Sequence, residues 1–527
     1  MTTLANPAPP PLIAALMESR HYPYPATTIE LIETHISWVL LAGEFAYKIK
    51  KPVALGFLDF STLEARRHFC NEELRLNRAI APQLYLEVLP ITGTAAAPQF
   101  GGDGLPFEYA LRMRRFAQDD LLDHQVRCGA ADAALFERLA ATIAAFHART
   151  AVAAADSVHG SPANITQPAR ENFEQIAALM PPDGSQEVLS KLRAWTASES
   201  ARLETVFLQR KAGGCVRECH GDLHLGNIAV IDGVPVLFDS IEFNPEFRWI
   251  DVSSEIAFLV MDLLDRDLAA LAWRCLNRYL EISGDYAGLE VLRYYLVYRA
   301  MVRAKVALLH ARQPVAGAVR RGDEKSFLHH VQLAARLAAP PRPALVLMHG
   351  VTGSGKSTVA QELLAVLGAV RVRSDVERKR LYGLPAEARS GSAPGAGIYD
   401  AAATQRTYAR LAEVARGALR GGWRVIVDAA SLQRQQRDLF RQIARDAGVP
   451  FVLLSCHAER AVLRERLARR AAAGGDASEA TLEVLEQQIA AGGEIAADEA
   501  ADVIVCGSAD HGADLLARLL SRIDGAG

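Results

Sequence analysis

Alternating apolar and polar residues predict a pair of strands near the start of the chain. The stretch 35–53, HISWVLLAGEFAYKIKKPV, is typical of two antiparallel strands joined by a tight turn at 42–44. Apolar residues then recur with helical spacing over 64–80. Alanine-rich stretches at 130–155 and 263–311 predict long helices, the second with breaks. A sheet followed by helices indicates an α+β domain.

A different pattern of predicted elements begins after the proline-rich stretch 338–343. Strand-like and helix-like runs then alternate, as in a parallel sheet covered by helices on both faces. The predicted elements are 345–348, 357–367, 370–373, 404–419, 425–427, 434–447 and 451–455, with a mobile loop at 386–397. We therefore predict two domains, 1–337 and 344–527, joined by a linker at 338–343. The second is a three-layer α/β domain.

The composition limits the class of protein but does not indicate which reaction it catalyses. At 527 residues, the chain is too long for one hydrophobic core. A net charge of −3 does not favour nucleic acid or an anionic membrane as the main partner. Seven scattered cysteines fit a reducing compartment, and no stretch reaches the roughly 20 apolar residues of a membrane span. We therefore expect a cytoplasmic protein.

The stretch Gly350–Thr358, GVTGSGKST, carries the most specific motif. It matches GxxxxGK[ST], follows a predicted strand and opens a predicted helix, as a P-loop should. In such a loop backbone N–H groups cradle the phosphates of ATP, while the lysine reaches the terminal phosphates and Ser357 ligates magnesium. The residues predicted to bind ATP here are Gly350, Gly353, Ser354, Gly355, Lys356, Ser357 and Thr358.

Charged residues follow the next strands of the same sheet. Asp375 could take a proton from a substrate hydroxyl while Arg378 holds a phosphate, although a helix cap in a charged turn is the simpler alternative for the acid. Asp428 ends another strand and is placed to bind magnesium or its water shell. The arginines of 460–470 lie on a predicted helix, either as a lid over ATP or as a solvated basic face.

These motifs resemble those of P-loop kinases related to polynucleotide kinase and gluconate kinase. The likeness rests on the P-loop, on S-D-x-x-R at Ser374–Arg378, on VIVDA at 425–429 and on the arginine-rich helix. It implies transfer of the γ-phosphoryl group of ATP to a hydroxyl, with Asp375 as the base and Arg464 and Arg466 as lid residues.

The first domain holds a second polar loop, ECHGDLHLGNIAV at 218–230. One interpretation is a zinc site with the ligands Cys215, Cys219, His220 and His224. That spacing is unlike the spacing of ligands in a zinc finger, and a zinc site would leave Asp222 and Asn227 without a role. The other interpretation is phosphoryl transfer, because Asp222 and Asn227 have the separation of the base and the magnesium-binding asparagine in H-R-D-x-x-x-x-N loops.

A predicted β-hairpin follows this loop. The stretch IAVIDGVPVLF turns at Asp232–Gly233 and should bring Asn227 close to Asp239. Asp239 then stands where the aspartate of D-F-G bridges magnesium to the phosphates. Backbone near 113–116 is expected to form a hinge that meets the adenine.

A kinase of this kind also needs a lysine on its third strand and a glutamate on the helix behind it. In FAYK the alanine and Lys48 share one strand face, as in V-A-I-K, and Lys50 is the alternative. Glu73 has the helical register of an acid turned toward that lysine, with Glu72 as the alternative.

Three more polar residues are expected to support the loop. Asp251 should be an internal hydrogen-bond acceptor, and His220 should help to orient the loop. Glu242 faces metal or substrate, or else pairs with Arg248.

H-G-D-L-H-x-G-N is the form that the loop takes in aminoglycoside phosphotransferases, and the first domain resembles that family over 30–310. The whole chain resembles proteins described as bifunctional aminoglycoside phosphotransferase/ATP-binding proteins. The resemblance implies a protein-kinase-like fold fused to a P-loop NTPase fold. It also implies that Asp222 is the base, that Asn227 and Asp239 bind magnesium, and that Lys48 holds the ATP phosphates.

We therefore expect a bifunctional phosphotransferase that uses ATP and magnesium, with a small-molecule hydroxyl as the acceptor in each domain. The two reactions could follow one another on one metabolite. One alternative is a nucleotide-dependent regulator in which one half is a non-catalytic ATP-binding module. Another is a kinase that acts on a protein or, through the second domain, on a nucleic-acid end.

Overall fold

The computed structural model describes residues 9–56, 58–180, 186–312, 317–393, 395–473, 477–507 and 512–525. Packing divides the chain into two compact units. The first unit comprises 1–181, 207–262 and 305–327. The second, which we call the P-loop unit, comprises 182–206, 263–304 and 328–527.

The strands are β1 (Ile29–Glu33), β2 (Ser37–Ala42), β3 (Phe45–Lys50), β4 (Ala54–Leu55), β5 (Leu58–Asp59), β6 (Tyr85–Thr94), β7 (Ala97–Phe100), β8 (Glu108–Arg114), β9 (Val216–Glu218), β10 (Ile228–Ile231), β11 (Val234–Leu237), β12 (Trp249–Asp251), β13 (Leu345–His349), β14 (Ala369–Arg373), β15 (Arg424–Asp428), β16 (Phe451–Cys456) and β17 (Val503–Cys506).

The helices are α1 (Pro11–Leu16), α2 (Leu63–Ile80), α3 (Leu122–Arg127), α4 (Ala133–Arg149), α5 (Pro162–Leu179), α6 (Gln186–Ala212), α7 (Pro245–Arg248), α8 (Val252–Asp265), α9 (Ala269–Ser283), α10 (Leu289–Ala311), α11 (Gly317–Ala338), α12 (Lys356–Leu367), α13 (Ser374–Arg380), α14 (Ala401–Arg420), α15 (Arg434–Asp446), α16 (Arg460–Ala473), α17 (Leu482–Ala490) and α18 (Ala513–Asp524).

An antiparallel sheet of order β1-β2-β3-β8-β6-β7 opens the first unit. The predicted strand pair forms its centre, and Gly43 takes the positive φ of 56° that the tight turn between β2 and β3 requires. Helix α2 packs across β6 and β8. It begins at Thr62, whose hydroxyl accepts a hydrogen bond from the amide of Ala65. This arrangement turns one face of β3 toward α2.

The rest of the first unit is mainly helical and carries two small antiparallel ribbons. The hairpin of β10 and β11 turns at Asp232 and Gly233, both with positive φ, as the sequence predicts. The second ribbon pairs β9 with β12. Helix α8 is buried along nearly its whole length, including the apolar run Ile256–Met261 at its centre.

The P-loop unit is built on a parallel sheet of order β14-β15-β13-β16-β17. Strand β13 is buried at every position, as expected of a central parallel strand covered on both faces. Helices α12 and α18 pack with the sheet around an apolar core. The predicted α+β and α/β architectures are confirmed.

A side chain caps the open edge of this sheet. The amide of Asn277, on α9, donates to the carbonyl of Ala369 at 3.0 Å and accepts from the N–H of Arg371 at 2.6 Å. It thus takes the hydrogen-bonding place of a further strand beside β14, which removes an exposed edge. Glu281, also on α9, pairs with the Arg371 guanidinium at 2.7 Å.

This capping shows where the packing and the predicted domain boundary differ. The boundary at 338–343 follows the chain and assigns α9 to the first domain, whereas the compact units place 263–304 with the P-loop. The spacing of apolar residues along the chain does not show which edge of a sheet is covered by a helix that is distant in sequence. The predicted linker itself lies between the end of α11 and the start of β13.

Most predicted elements lie within three residues of the observed ones in the P-loop unit. The helix predicted at 130–155 is shorter, because α4 ends at Arg149. The helix predicted at 263–311 is the end of α8 followed by α9 and α10. Its breaks lie at Asp267 and Gly284, which both take positive φ. No helix in the described part of the chain is long and apolar enough to cross a membrane.

Arg437 provides a test of the P-loop unit's packing. Its side chain is 1% exposed and forms two hydrogen bonds, of 2.8 and 2.7 Å, to the fully buried carboxylate of Glu499. Arg437→Met should lower the free energy of unfolding by about 3–5 kcal/mol, because it leaves a buried charge without its main partner. Arg434→Met is the matched control, since Arg434 is half exposed and its pair with Asp498 is screened by solvent and contributes little to stability. Equal losses in urea titrations of the two variants would contradict this account.

Candidate active sites

A buried ion pair joins β3 to α2 in the first unit. Lys48 Nζ lies 2.7 Å from Glu73 Oε1 and 2.5 Å from Asp239 Oδ1. Burial alone would lower the pKa of Lys48, but the carboxylates of Asp239 and Glu73 outweigh it and hold the pKa well above its usual value. Burial alone would raise the pKa of Glu73, yet Lys48 and Lys50 lower it to about 2. Lys48 and Glu73 are therefore both charged at neutral pH.

The alternatives left open by the sequence occupy different places. Lys50 Nζ lies 2.7 Å from the other Glu73 oxygen and also binds the carboxylate of Glu242. Lys48 is thus the lysine that reaches Asp239. Glu72 instead pairs with Arg75 and Arg248 at 2.7 and 2.8 Å. The carboxylate of Glu242 faces Lys50, whereas its backbone carbonyl accepts from Arg248.

Side chains within the loop that carries Asp222 form hydrogen bonds that fix its conformation. Asn227 Nδ2 donates to the Asp222 carbonyl at 3.0 Å and to its carboxylate at 3.1 Å. The Asp222 side chain is 37% exposed, so a substrate can reach it. His220 Nε2 lies 2.7 Å from the Phe238 carbonyl, which ties the loop to the end of β11.

The hairpin brings the predicted magnesium ligands to one place. The N–H of Phe238 donates to the carbonyl of Asn227 at 3.1 Å, and Asp239 is the next residue. Asp239 has a φ of 64°, which turns the chain sharply after β11. Its N–H donates to Tyr85 Oη at 2.9 Å.

The predicted hinge borders an apolar cluster. Met113 and Phe116 pack with Ile231 and Phe238, and the two phenylalanine rings lie 5.2 Å apart. These side chains are only partly buried. The predicted hinge therefore packs against the hairpin that leads to Asp239.

The sequence did not point to Glu255 and Asp262, two acids on the apolar helix α8 that hold the loop backbone. Glu255 accepts from the N–H groups of His220 and Gly221 at 2.9 and 2.6 Å. Asp262 accepts from the N–H of Leu225 at 2.9 Å. The signal was available, since acids seven residues apart on an apolar helix share one face.

The acids and histidines around the loop form hydrogen bonds with one another and with the loop backbone. Burial would raise the pKa of Glu255, but the hydrogen bond from His147, 3.0 Å away, and the loop amides lower it. His220 Nδ1 accepts from the Asp222 amide, and His224 Nδ1 accepts from Gly226. Asp251 is an internal acceptor, as predicted, and binds Arg210 at 2.6 and 2.7 Å.

The P-loop lies between β13 and α12. Gly350, Gly353 and Gly355 have φ values of 136°, 79° and 99°. A Cβ on Gly350 would lie 2.4 Å from the Cys456 carbonyl, so a side chain cannot fit there. Lys356 Nζ donates to the Val351 carbonyl at 2.8 Å. Burial lowers the pKa of Lys356, and Asp428 only partly opposes it.

The loop opens into a cavity of about 1010 Å³, lined by Gly353, Gly355, Lys356, Ser357, Thr358, Asp375, Arg378 and Asp428 among others. Ser357 Oγ donates to Asp428 Oδ1 at 3.2 Å. Asp428 Oδ2 is buried without a hydrogen-bond partner among the described residues. Asp375, in the first turn of α13, faces the same cavity.

Of the two predicted lid arginines, the structure brings one to the cavity. Arg466 Nη1 donates to the carbonyl of Gly353 at 3.3 Å. Arg464 is exposed and pairs with Glu486 at 2.8 Å, and the residues that line the cavity do not include it. Arg470 lines the cavity instead, with Nη2 3.3 Å from Thr352 Oγ1. The reason is helical spacing, because 466 and 470 share a face and 464 does not.

A family model and a relative from another organism match this chain. A model of the AAA domain matches residues 345–494. Uncharacterized protein Rv2004c of Mycobacterium tuberculosis is 30% identical over 452 residues, which cover 85% of this chain and 88% of that protein. The chain belongs to the same family as this mycobacterial protein.

Two solved structures are similar to parts of this family member. A gluconokinase from Sinorhizobium meliloti 1021 shares 19% identity with a TM-score of 0.24, over 35% of this chain and 93% of that one. A choline/ethanolamine kinase family protein from Mesorhizobium loti shares 13% identity with a TM-score of 0.36, over 60% and 93% of the two chains.

The Lys50–Glu242 pair should be strongly coupled. Both side chains are buried, so Lys50→Met leaves Glu242 without its ammonium partner and should cost about 3–5 kcal/mol of unfolding free energy. Lys50→Met combined with Glu242→Leu should recover a large part of that loss, because no unpaired charge remains at position 242. Urea titration of the two single variants and the double variant measures the coupling. Additive losses would show that the pair is not coupled.

His349, next to the P-loop, should make the P-loop unit less stable in acid. Burial lowers the pKa of His349 to about 4, while an unfolded histidine titrates near 6.5. Between these values the unfolded state binds the extra proton, so stability should fall by about 3 kcal/mol as the pH drops from 6.5 to 4. His349→Gln should flatten this part of the stability profile in urea titrations. An unchanged slope would contradict the assignment.

Proposed function

We propose that the first unit binds Mg–ATP and transfers its γ-phosphoryl group to a hydroxyl of a small molecule. The observation that carries the proposal is the contact of Lys48 with both Glu73 and Asp239 at the base of the Asp222 loop. An ammonium so placed can hold ATP phosphates beside the metal-binding aspartate. Asp222 is partly exposed on the same loop and would accept the proton of the attacking hydroxyl.

The residues present in the first unit suit magnesium. Asn227 offers an amide oxygen and Asp239 a carboxylate, and oxygen donors of this kind are those that magnesium prefers. The Asp239 side chain is 41% exposed, although it contacts Lys48. Magnesium held there would bridge phosphate oxygens and neutralise their charge. The loop bonds from α8 and His220 would keep both donors in place.

The P-loop unit is proposed to bind a second Mg–ATP and to transfer its γ-phosphoryl group with Asp375 as the base. Lys356 is desolvated without a carboxylate in hydrogen-bond contact among the described residues, so a phosphate would relieve the cost of its burial. Asp428 Oδ2, beside Ser357, has no hydrogen-bond partner among the described residues and lies 3.9 Å from Arg373 Nε, and such a carboxylate oxygen suits magnesium. Arg466 and Arg470 would cover the phosphates.

A phosphorylation screen tests both assignments. The full chain, Asp222→Asn and Lys356→Ala are each incubated with labelled ATP and a library of hydroxyl compounds, and labelled products are separated. We expect Asp222→Asn to lose one product by about 10²–10⁴-fold, the usual contribution of a general base. Lys356→Ala should abolish a different product, because it removes the cation that holds the phosphates.

The alternative functions give different results in the same screen. Loss of all products in both variants would contradict two independent active sites. ATP binding without any labelled small molecule would favour a nucleotide-dependent regulator. Label found only on added peptide or oligonucleotide ends would favour a macromolecular acceptor. If the product of one unit is a substrate of the other, the two reactions follow one another on one metabolite.

A further inference from the structure

A second cavity of the P-loop unit is lined by α9, α12 and β14. Its volume is about 650 Å³, within the range of small-molecule sites. The P-loop glycines, Lys356 and the proposed base Asp375 are not among the described residues that line it. We call this cavity the arginine groove. Its charged lining residues are Arg274, Arg278, Arg371, Arg373, Glu362 and Glu387.

The charges of the groove are unevenly matched. The buried carboxylate of Glu281, just outside the groove, lies 2.7 Å from the guanidinium of Arg371. The same carboxylate is 3.8 Å from Arg278 and 3.9 Å from Arg373, so three arginines share it. Glu387 contacts Arg278 at 2.7 Å, but its side chain is 59% exposed and water screens the pair. Among the described lining residues, four guanidinium groups face two carboxylates, and a cleft of this kind attracts anions.

Arg371 also carries a hydrogen-bond donor that the protein does not use. Its side chain is 7% exposed, and its Nε has no hydrogen-bond partner among the described residues. Nη2 binds Glu281, and Nη1 lies 3.4 Å from the carbonyl of Ser357 in the first turn of α12. A buried donor without an acceptor is costly. An oxyanion that draws this guanidinium toward the groove would offset that cost.

The four arginines form two pairs with similar spacing. Arg274 and Arg278 are four residues apart on α9, so they share a helix face and their Cα atoms are about 6 Å apart along the axis. Arg371 and Arg373 are two residues apart on β14, so they share a strand face with Cα atoms about 7 Å apart. A guanidinium binds a phosphate through two parallel N–H donors. The two pairs therefore suit two phosphate groups on one molecule.

We propose that the arginine groove binds a small molecule that carries two phosphate groups, apart from the nucleotide of the P-loop. The groove and the P-loop cavity share only Ser357, Thr358 and Arg373 among their described lining residues. The nucleotide and the bisphosphate can therefore be bound together. Because Asp375 does not line the groove, the bisphosphate is a second ligand and not the hydroxyl acceptor. This site does not depend on the phosphoryl transfer proposed above.

Calorimetric titration of the full chain tests the proposal. A saturating non-hydrolysable ATP analogue and magnesium first fill the nucleotide sites. The probes are 2,3-bisphosphoglycerate and fructose 1,6-bisphosphate, whose phosphates are separated by different lengths of carbon chain, with inorganic phosphate as the comparison. We expect one bisphosphate site per chain that binds at least about 10-fold more tightly than inorganic phosphate, because two charged groups are held instead of one. Lys356→Met should bind the bisphosphate as the wild type does.

Side-chain variants assign the site to the groove. Arg274→Met and Arg278→Met should each weaken bisphosphate binding by about 10-fold. Glu387→Gln should strengthen it by about 2–5-fold, because Glu387 competes for the Arg278 guanidinium, and a misfolded chain cannot produce a gain. Arg420→Met is the matched control. Arg420 is an exposed arginine of α14 that pairs with Glu290 and lines neither cavity, so its loss should leave the affinity unchanged.

Several outcomes would overturn the inference. One is the absence of bisphosphate binding to the wild type. Another is displacement of the bisphosphate by the ATP analogue, or its loss in Lys356→Met, since either result would place it in the nucleotide site. A third is an unchanged affinity in both Arg274→Met and Arg278→Met. Equal affinity for inorganic phosphate would contradict a site for two phosphate groups. Failure of the proposed nucleotide sites looks different, because the ATP analogue alone would then not bind.

Discussion

The cost of burying a lysine ammonium shapes both candidate sites. In the first unit the protein offsets this cost itself, by placing Glu73 and Asp239 against Lys48, so the pKa of the lysine rises despite burial. In the P-loop unit Lys356 contacts a backbone carbonyl and burial lowers its pKa. The first lysine is therefore paired with carboxylates, whereas the second has no carboxylate in hydrogen-bond contact among the described residues.

The ion pairs of Lys48 depend on contacts that hold the neighbouring segments in place. Glu73 uses one carboxylate oxygen for each of Lys48 and Lys50, and Lys50 continues to Glu242, three residues beyond Asp239. The segment that carries the predicted metal ligand is thus tied to β3 and α2 at two points. From the other side, α8 holds the amides of the Asp222 loop through Glu255 and Asp262. Both loops that meet at the site are fixed by buried charges.

The helices and strands that position these groups were largely predictable, because each follows from a pattern of apolar and polar residues within a short stretch of sequence. Strands β2 and β3, helix α2 and the hairpin at Asp232 follow from alternation, helical spacing and turn residues. The same holds for the P-loop and for the strand that ends at Asp428. Motif spacing also separated Asp222 and Asn227 from the nearby histidines, and the structure uses those histidines for hydrogen bonds within the loop.

What remained hidden depends on contacts between distant segments. Nothing in the local sequence of α9 shows that Asn277 caps the edge of β14, so the unit boundary could not be read from the linker. Helical spacing separates Arg464 from Arg466 and Arg470, but only the contacts of α16 with the P-loop show which of these two faces meets the cavity.

The central claim is that one chain holds two separate nucleotide sites built on these two lysines. Calorimetric titration with a non-hydrolysable ATP analogue and magnesium measures it most directly. The account predicts two sites per chain for the wild type. Lys48→Met should remove one site and Lys356→Met the other, and the double variant should bind none. A single site in the wild type, or a single site lost in both single variants, would contradict it.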